Sequence, residues 1–248
     1  MEKVLVVTGG SRGIGAATAL LAGQQGYAIC VNYLRNQTAA ETIVDELGKM
    51  GIRAIAVAAD VASEEQVNYL FEMVDNQLGQ VTALVNNAGI LEQQMRVEEM
   101  DAARLNRIFA ANVTGSFLCA REAIKRMSIK QGGRGGAIVN VSSVASRLGS
   151  AGEYVDYAAS KGAIDSMTIG LSKEVADEGI RVNAVRPGFI YTDIHADGGE
   201  PNRVERVKDL LPMKRGGQAN EVANAILWLL SDDASYTTGT FIEVAGGK

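Results

Sequence analysis

A tyrosine and a lysine stand four positions apart in the segment YAASK, at Tyr157 and Lys161. Residues at this spacing lie on one face of a helix, so a helix here would bring the phenol and the ammonium group together. A phenol has an ordinary pKa of about 10, and a nearby positive charge favours its ionised form. We therefore expect a phenol made unusually acidic by its neighbour, able to exchange a proton with an oxygen of a bound molecule.

Two serines end an apolar run upstream of this pair. The segment AIVNVSS closes with Ser142 and Ser143, and it reads as a buried strand. Ligands of parallel α/β sheets bind at the carboxyl ends of the strands, so a serine there is placed to donate a hydrogen bond to developing negative charge. Tyr154 is rejected as the reactive tyrosine because Ala158, not a lysine, follows it by four positions.

A glycine-rich turn follows the first apolar run of the chain. TGGSRGIG spans residues 8–15 between the run VLVV and a segment of helical period. Such a turn lets backbone N–H groups approach a pyrophosphate, while the start of the following helix points its positive dipole end at the anion. The turn residues expected at a dinucleotide are Gly9, Ser11, Arg12, Gly13, Ile14 and Gly15.

The order of apolar runs predicts an α/β fold. Seven short runs read as strands, at residues 4–7, 28–32, 54–59, 82–86, 137–142, 181–185 and 240–244. Amphipathic segments such as 13–25, 37–50 and 64–78 lie between them. Strict alternation favours right-handed crossovers and a parallel sheet with helices on both faces. We expect one doubly wound Rossmann domain over residues 1–248, whose long irregular region, 187–217, contains a substrate lid at about 193–215.

Composition excludes several classes of partner. The formal net charge is −5 and no dense basic block occurs, which argues against nucleic acid and membranes as partners. A lone histidine, His195, and two distant cysteines, Cys30 and Cys119, cannot form a local metal cluster, so we expect no metal. No signal peptide or membrane span is expected, and the cysteine usage fits a reducing, cytoplasmic location. We interpret His195 as a lid residue, with a substrate contact as the alternative.

The motifs, taken in order, resemble those of the short-chain dehydrogenase/reductase family along nearly the whole chain. This resemblance implies a doubly wound fold, a nicotinamide cofactor and a catalytic set of Asn112, Ser143, Tyr157 and Lys161. It places Asp60 and Val61 at the adenine, the NNAG residues Asn87, Ala88 and Gly89 along the ribose, and Pro187, Gly188, Ile190 and Thr192 of PGFIYT near the nicotinamide, with Tyr157 and Lys161 also contacting the cofactor.

Two details of the resemblance bear on the catalytic roles. Asn112 is implied to hold a water that links Lys161 to solvent. Thirteen residues separate Ser143 from Tyr157, one more than in many relatives, so Ser142 stays an alternative for the serine role.

NADP is favoured over NAD as the cofactor. NAD enzymes of this fold carry an acid about 20 residues past the glycine turn, where this chain has Asn32, Tyr33, Leu34 and Arg35. Arg12 and Arg35 could both hold a 2′-phosphate by charge-assisted hydrogen bonds. Asn32 and Arg35 are accordingly counted with the cofactor site.

The sequence says less about the substrate than about the reaction. Similarity is to the 3-oxoacyl-carrier-protein reductase and glucose 1-dehydrogenase-like branches, and Arg134 falls where such reductases hold an acidic carrier. Glu178 stands where the second basic residue would be, so a small free carbonyl or alcohol is favoured. Relatives are commonly homotetramers, and segments 101–127 and 154–178 could form the faces. The alternative is a catalytically silent NADP-binding sensor or regulatory protein.

Overall fold

All seven predicted strands are present and form one parallel sheet. The computed structural model describes residues 3–248. The strands are β1 (Lys3–Val7), β2 (Tyr27–Tyr33), β3 (Ala54–Ala58), β4 (Ala83–Asn86), β5 (Gly136–Val141), β6 (Ile180–Pro187) and β7 (Phe241–Val244). Their order is β3-β2-β1-β4-β5-β6-β7, so the winding reverses between β1 and β4. The sheet is therefore doubly wound, and its switch point faces the turn after β1.

Ten α-helices connect these strands in the described residues. They are α1 (Gly13–Gln24), α2 (Gln37–Lys49), α3 (Glu64–Gln77), α4 (Ala102–Phe109), α5 (Gly115–Met127), α6 (Ala145–Leu148), α7 (Val155–Glu174), α8 (Ile194–Asp197), α9 (Arg203–Val207) and α10 (Ala219–Leu230). None of the helices within residues 3–248 has both the length and the apolar character needed to cross a membrane.

The helices cover the sheet on both faces, which explains why the strands are apolar without alternation. One core layer takes residues such as Ala19, Leu47 and Ile226 from α1, α2 and α10. The opposite layer takes Phe71 and Ile164, among others, from α3, α5 and α7. Burial of both faces is the reason that unbroken apolar runs identified the strands correctly.

A π-helical turn interrupts the long helical segment between α4 and α5. It spans Ala110–Thr114 and holds Asn112 at its centre, fully buried. A π turn adds a residue to the helical ring and turns the following side chains, and such turns occur often at functional sites. The apolar spacing of segment 101–127 predicts a helix but carries no mark of this turn.

Segment 193–215 is more regular than its composition suggested. Helices α8 and α9 lie in it, followed by a 3₁₀ turn at Lys208–Leu210. The stretch RVERVKDLL has good helix formers, and Arg203 is held by Glu153 and Glu200. The expectation of a wholly irregular region was therefore wrong: tertiary ion pairs and local propensity outweigh the turn formers HADGGEPN.

The sheet centre should carry much of the stability of the fold. Leu84 of β4 is fully buried, whereas Leu210 is 76% exposed. Replacing Leu84 by Ala removes apolar burial and leaves a cavity, so the free energy of unfolding should fall by about 2–5 kcal/mol. Leu210→Ala is the matched control and should change it by less than about 0.5 kcal/mol. Urea titration followed by circular dichroism measures both; equal losses would contradict this view of the core.

Candidate active site

The glycine turn between β1 and α1 is built so that only glycine fits at its key positions. Gly9 and Gly13 have φ of +60° and +53°, a region that side chains rarely adopt. A Cβ at Gly15 would lie 2.4 Å from the carbonyl oxygen of Gly9. The third glycine therefore packs behind the turn and does not line the cleft in front of it, while Thr192 packs against Gly13 from the other side.

Hydrogen bonds from neighbouring strand ends hold this turn in place. Asn87 Nδ2 donates to the carbonyls of Thr8 and Gly9, each at 2.9 Å. Thr8 Oγ1 accepts from the backbone N–H groups of Asn87 and Ala88, each at 3.0 Å. The segment NNAG thus supports the turn after β1.

Asn32 has a structural task that the sequence did not reveal. Its side chain is buried, its Oδ1 accepts from Gly9 N at 3.3 Å, and its Nδ2 donates to Ala59 O at 2.9 Å. It therefore joins the glycine turn to the segment after β3. Although Asn32 borders the cleft, these bonds occupy its amide, so its expected contact with a cofactor is at most a packing contact.

Positive charge and uncapped N–H groups meet at the start of α1. Arg12 is the N-cap residue of α1 and its side chain makes no capping bond, so the first N–H groups of the helix face the cleft without a side-chain acceptor. Arg12 forms an ion pair with Asp197 of α8, and both side chains are about half exposed. Arg35 borders the same cleft beyond β2. This end of the cleft is suited to an anion.

Tyr157, Ser143 and Lys161 line the cleft together at the carboxyl ends of β5 and β6. Helix α7 carries the tyrosine and the lysine on one face, and Lys161 Nζ lies 5.5 Å from the centre of the Tyr157 ring. Lys161 Nζ donates to the carbonyl of Val141 at 2.8 Å. Ser143 is close enough to the hydroxyl of Tyr157 to lower its pKa. The predicted spacing therefore does bring these groups into one site.

The titration of the pair differs from the expectation of an acidic phenol. Burial raises the pKa of Tyr157 to about 12, and the nearby Ser143 only partly offsets this. Burial also lowers the pKa of Lys161 to about 8, although the Asp165 carboxylate raises it. The expectation was wrong for the chain alone because desolvation disfavours both charged forms and the ammonium is itself buried. At neutral pH the phenol keeps its proton.

Asn112 lies behind the cleft and does not line it. Its Oδ1 accepts from Ile90 N at 2.7 Å, and its Nδ2 donates to Ile90 O at 3.1 Å and to Ser160 Oγ at 3.0 Å. The side chain fastens the π turn to the segment after β4 and to α7. A Cβ on Gly89 would lie 3.3 Å from Asn112 Oδ1 and 3.6 Å from Lys161 Nζ, so these groups approach each other at Gly89.

The two candidate serines have different surroundings. Ser142 Oγ is buried and donates to Asp165 Oδ1 at 2.7 Å. Ser143 is partly exposed, accepts from Ala145 N at 3.1 Å and lowers the pKa of Tyr157. The geometry favours Ser143 for contact with a substrate oxygen.

The cleft has a volume of about 800 Å³ and gathers almost every residue predicted for the site. Only Gly15 and Asn112 among them do not line it, for the packing reasons given above. Sequence reasoning missed the apolar and aromatic side of the cleft, which includes Leu91, Val144, Leu148, Tyr154 and Phe189, and also missed Arg203. For Val144, Tyr154 and Phe189 the available signal was their position just after a strand end or at the start of α7.

His195 borders the cleft from α8. Its Nε2 lies 3.0 Å from the carbonyl oxygen of Ile190, which can only accept, so Nε2 carries the hydrogen. Burial lowers the pKa of His195, and its Nδ1 is buried without a hydrogen-bond partner within residues 3–248. The ring is therefore neutral at pH 7 and serves to hold α8 on the segment after β6.

A larger hollow of about 1130 Å³ lies at the opposite, amino edge of the sheet. Lys3, Tyr27 and Arg181 are among its lining residues, and Arg181 is occupied by the carbonyls of Leu229 and Ser231. Parallel α/β sheets bind ligands at the carboxyl edge, and the predicted acid/base groups lie there too. We therefore assign the chemistry to the smaller cleft.

Comparisons with known proteins agree with this geometry. Residues 9–248 match the family described as Enoyl-(Acyl carrier protein) reductase. The chain is 62% identical to the oxidoreductase YgfF of Escherichia coli K12, with 99% of each chain covered. It is 37% identical to the 3-oxoacyl-[acyl-carrier-protein] reductase FabG of Staphylococcus aureus, covering 100% of this chain and 98% of that protein.

A solved structure of similar shape is that of the acetoin dehydrogenase YohF from Salmonella typhimurium. It has a TM-score of 0.87 and 34% identity, and the match covers 100% of this chain and 97% of that one. The chain is thus similar to these proteins along its full length. It also has a seven-stranded parallel sheet, with a glycine turn at its switch point and a tyrosine–lysine pair at its carboxyl edge. The protein belongs to the short-chain dehydrogenase/reductase family of oxidoreductases.

Proposed function

We propose that this protein is an NADP-dependent oxidoreductase that moves a hydride between nicotinamide and a small carbonyl or alcohol, with Tyr157 as general acid and base. The observation that carries the proposal is the single cleft shared by the glycine turn and the pair of Tyr157 and Lys161. A hydride and a proton must reach adjacent atoms of one carbonyl group, and this arrangement supplies both from the same space.

The residues present fit a dinucleotide. The turn at Gly9 and Gly13 leaves no room for side chains, so the backbone can approach a pyrophosphate, and the uncapped start of α1 offers N–H donors. The residues that the family pattern assigns to adenine, ribose and nicotinamide all line the cleft: Asp60, Val61, Asn87, Ala88, Gly89, Pro187, Gly188, Ile190 and Thr192.

Arg12 and Arg35 favour NADP over NAD. Both line the cleft, Arg12 just before α1 and Arg35 just after β2, and none of the four residues from Asn32 to Arg35 is acidic. Guanidinium groups bind phosphate through charge-assisted hydrogen bonds, whereas a carboxylate there would repel it. The present partner of Arg12 is Asp197, an exposed pair of modest strength, so a phosphate could replace it.

A nicotinamide held in this cleft would supply the hydride chemistry of carbonyl reduction, in which a C–H bond forms as the C=O π bond breaks. Tyr157 donates its phenolic proton to the carbonyl oxygen, forming the O–H bond of the alcohol. A buried phenol with a pKa of about 12 keeps this proton at neutral pH until negative charge develops beside it. Ser143 donates a hydrogen bond to the same oxygen and stabilises the developing charge.

Lys161 acts behind the tyrosine. Its ammonium group lies near the phenol ring and stabilises the phenolate left after proton donation. Asn112 fixes the π turn. Its Oδ1 has one remaining lone pair on the side of Gly89, near Lys161 Nζ. A water at this position could connect the lysine to solvent. Return of a proton through this position would restore the donor.

The substrate is proposed to be a small free carbonyl or alcohol covered by segment 193–215 as a lid. Leu91, Tyr154 and Phe189 give the cleft an apolar wall next to the catalytic pair. Glu178 accepts from Ser128 and is a negative charge at the position where the resemblance implies a basic residue for docking a carrier protein, which disfavours an acidic carrier. The silent-sensor alternative has no feature of residues 3–248 in its favour.

We further propose that the chain acts as one domain within a homotetramer in the cytoplasm. Phe117 of α5 is 52% exposed and Trp228 of α10 is 43% exposed, so two helical faces carry large apolar side chains suited to subunit contacts. Both cysteines are free and buried, as a reducing compartment allows.

Replacing Tyr157 by Phe tests the proton donor. The ring still fills its place, so NADPH should bind with near-normal affinity, measured by its fluorescence, while reduction of a carbonyl panel falls by about 10²–10⁴-fold. The panel is followed through the absorbance of NADPH. Tyr154→Phe is the matched control and should keep most of the activity, since Phe retains the ring in the wall of the cleft and the lost hydroxyl donates to the carbonyl of Gly198. Retained turnover in the Tyr157 variant would show that the donor was misassigned.

Replacing Arg35 by Asp tests the phosphate contact. The change removes a donor and adds a repulsive charge, so the ratio of kcat/KM for NADPH to that for NADH should fall about 10–100-fold. Lys49→Asp, the same charge change at the exposed end of α2, is the control and should leave the ratio unchanged. An unaltered ratio in the Arg35 variant would remove this residue from the cofactor site.

A further inference from the structure

A buried carboxylate lies one helical turn beyond the catalytic lysine, and the mechanism above does not use it. Asp165 of α7 is 9% exposed. Its Oδ1 accepts from Ser142 Oγ at 2.7 Å, and its Oδ2 accepts from Arg186 Nη2 at 2.9 Å and Nε at 3.2 Å. All its polar contacts are therefore with side chains at the ends of β5 and β6.

These contacts tie the lysine-bearing turn of α7 to the sheet. Ser142 also lies 3.3 Å from the backbone carbonyl of Lys161, and Lys161 Nζ donates to the carbonyl of Val141. At the end of β5, the carbonyl of Val141 accepts from the lysine ammonium, and the single hydroxyl hydrogen of Ser142 goes to the Asp165 carboxylate. Ser142, which the sequence left open as a catalytic serine, takes part in this attachment.

Arg186 of β6 balances the negative charge of Asp165. Arg186 is shared between Asp165 and Glu243, its guanidinium stacks 4.0 Å from the centre of the Phe241 ring, and Arg147 donates to Glu243 at 2.7 Å. Charges of alternating sign therefore run from the catalytic lysine to the surface. Because each neighbour is compensated, the carboxylate can stay ionised in a buried place.

We propose that Asp165 is a positioning residue for proton transfer: held by Ser142 and Arg186, it supplies the fixed negative charge that keeps the buried Lys161 group an ammonium. The inference rests on the function proposed above for Tyr157 and Lys161. It adds that Asp165, four residues after Lys161 on α7, determines what fraction of Lys161 is charged at the pH of the reaction.

Of the groups around Lys161, Asp165 is the one that supplies negative charge. On α7 its neighbours are Tyr157, neutral at pH 7, and Asp165. The end of β5 offers a carbonyl, the segment after β4 offers Gly89, and the π turn offers the neutral amide of Asn112. From β6, Arg186 adds positive charge beyond Asp165. Burial lowers the pKa of Lys161 to about 8 and Asp165 works against this.

The sign of the expected change follows from this balance. Removing the carboxylate lowers the pKa of Lys161 further, so more of the lysine is uncharged amine near pH 7–8. Removing the Arg186 charge acts in the opposite direction and raises the pKa. In reduction, the alkaline limb of the pH profile should shift to lower pH in the Asp165 variant and to higher pH in the Arg186 variant.

The direct test is a titration of the lysine in the cofactor-free protein. Lysine labelled with ¹³C at Cε is incorporated, the Lys161 resonance is identified by its loss in Lys161→Met, and its shift is followed with pH. In Asp165→Asn the ammonium-to-amine ratio at pH 8 should fall about threefold or more. Asp165→Glu should restore it, and Glu174→Gln, the loss of an exposed carboxylate on the same helix, should leave it unchanged.

Arg186→Gln keeps the proposal testable if Asp165→Asn fails to fold, and thermal unfolding of each variant reports this. In Arg186→Gln the midpoint of the Lys161 titration should move to higher pH. An unchanged midpoint in either folded variant, or a shift in the same direction in both, would overturn the proposal. Because the titration needs no turnover, inactivity of the wild-type protein toward every carbonyl would count against the proposed function and leave the role of Asp165 standing.

Discussion

The carboxyl edge of the parallel sheet is the constraint on which the rest of this structure depends. Backbone groups at strand ends have no strand partner, and polar groups left unpaired in a buried place are costly. Here Thr8 and Asn87 bond to each other, Asn32 bonds to Gly9 and Ser142 bonds to Asp165. These bonds fix the glycine turn to the neighbouring strand ends and the lysine-bearing turn of α7 to the end of β5, so the requirement to pair buried polar groups also fixes the geometry of the site.

Burial decides the protonation states in the site. Desolvation holds the phenol of Tyr157 neutral and pushes Lys161 toward the amine, so the chain without cofactor stores the proton on the tyrosine. That state suits the role of proton donor proposed for Tyr157. The role proposed for Lys161 requires its charged form, and the carboxylate of Asp165 opposes its loss of charge. The site therefore balances the cost of burying an ammonium against one compensated negative charge.

The sequence predicted the fold well because burial of both sheet faces makes each strand an unbroken apolar run, as in β1 and β5. It also identified the residues of the cleft, since their motifs follow strand ends. It did not reveal the π turn around Asn112, which leaves no periodic trace, nor the engagement of Asn32 in the glycine turn. The pKa of Tyr157 was misjudged because the extent of burial is a property of packing and not of local spacing.

The central claim is that one cleft delivers a hydride and a proton to the two atoms of a carbonyl group. A crystal structure of the protein with bound NADP tests this most directly. The account predicts the pyrophosphate at Gly13 and the start of α1, the 2′-phosphate between Arg12 and Arg35, and the nicotinamide facing the hydroxyl of Tyr157 with space for a small substrate between them. A nicotinamide bound elsewhere, or a Tyr157 hydroxyl turned away from it, would contradict the account.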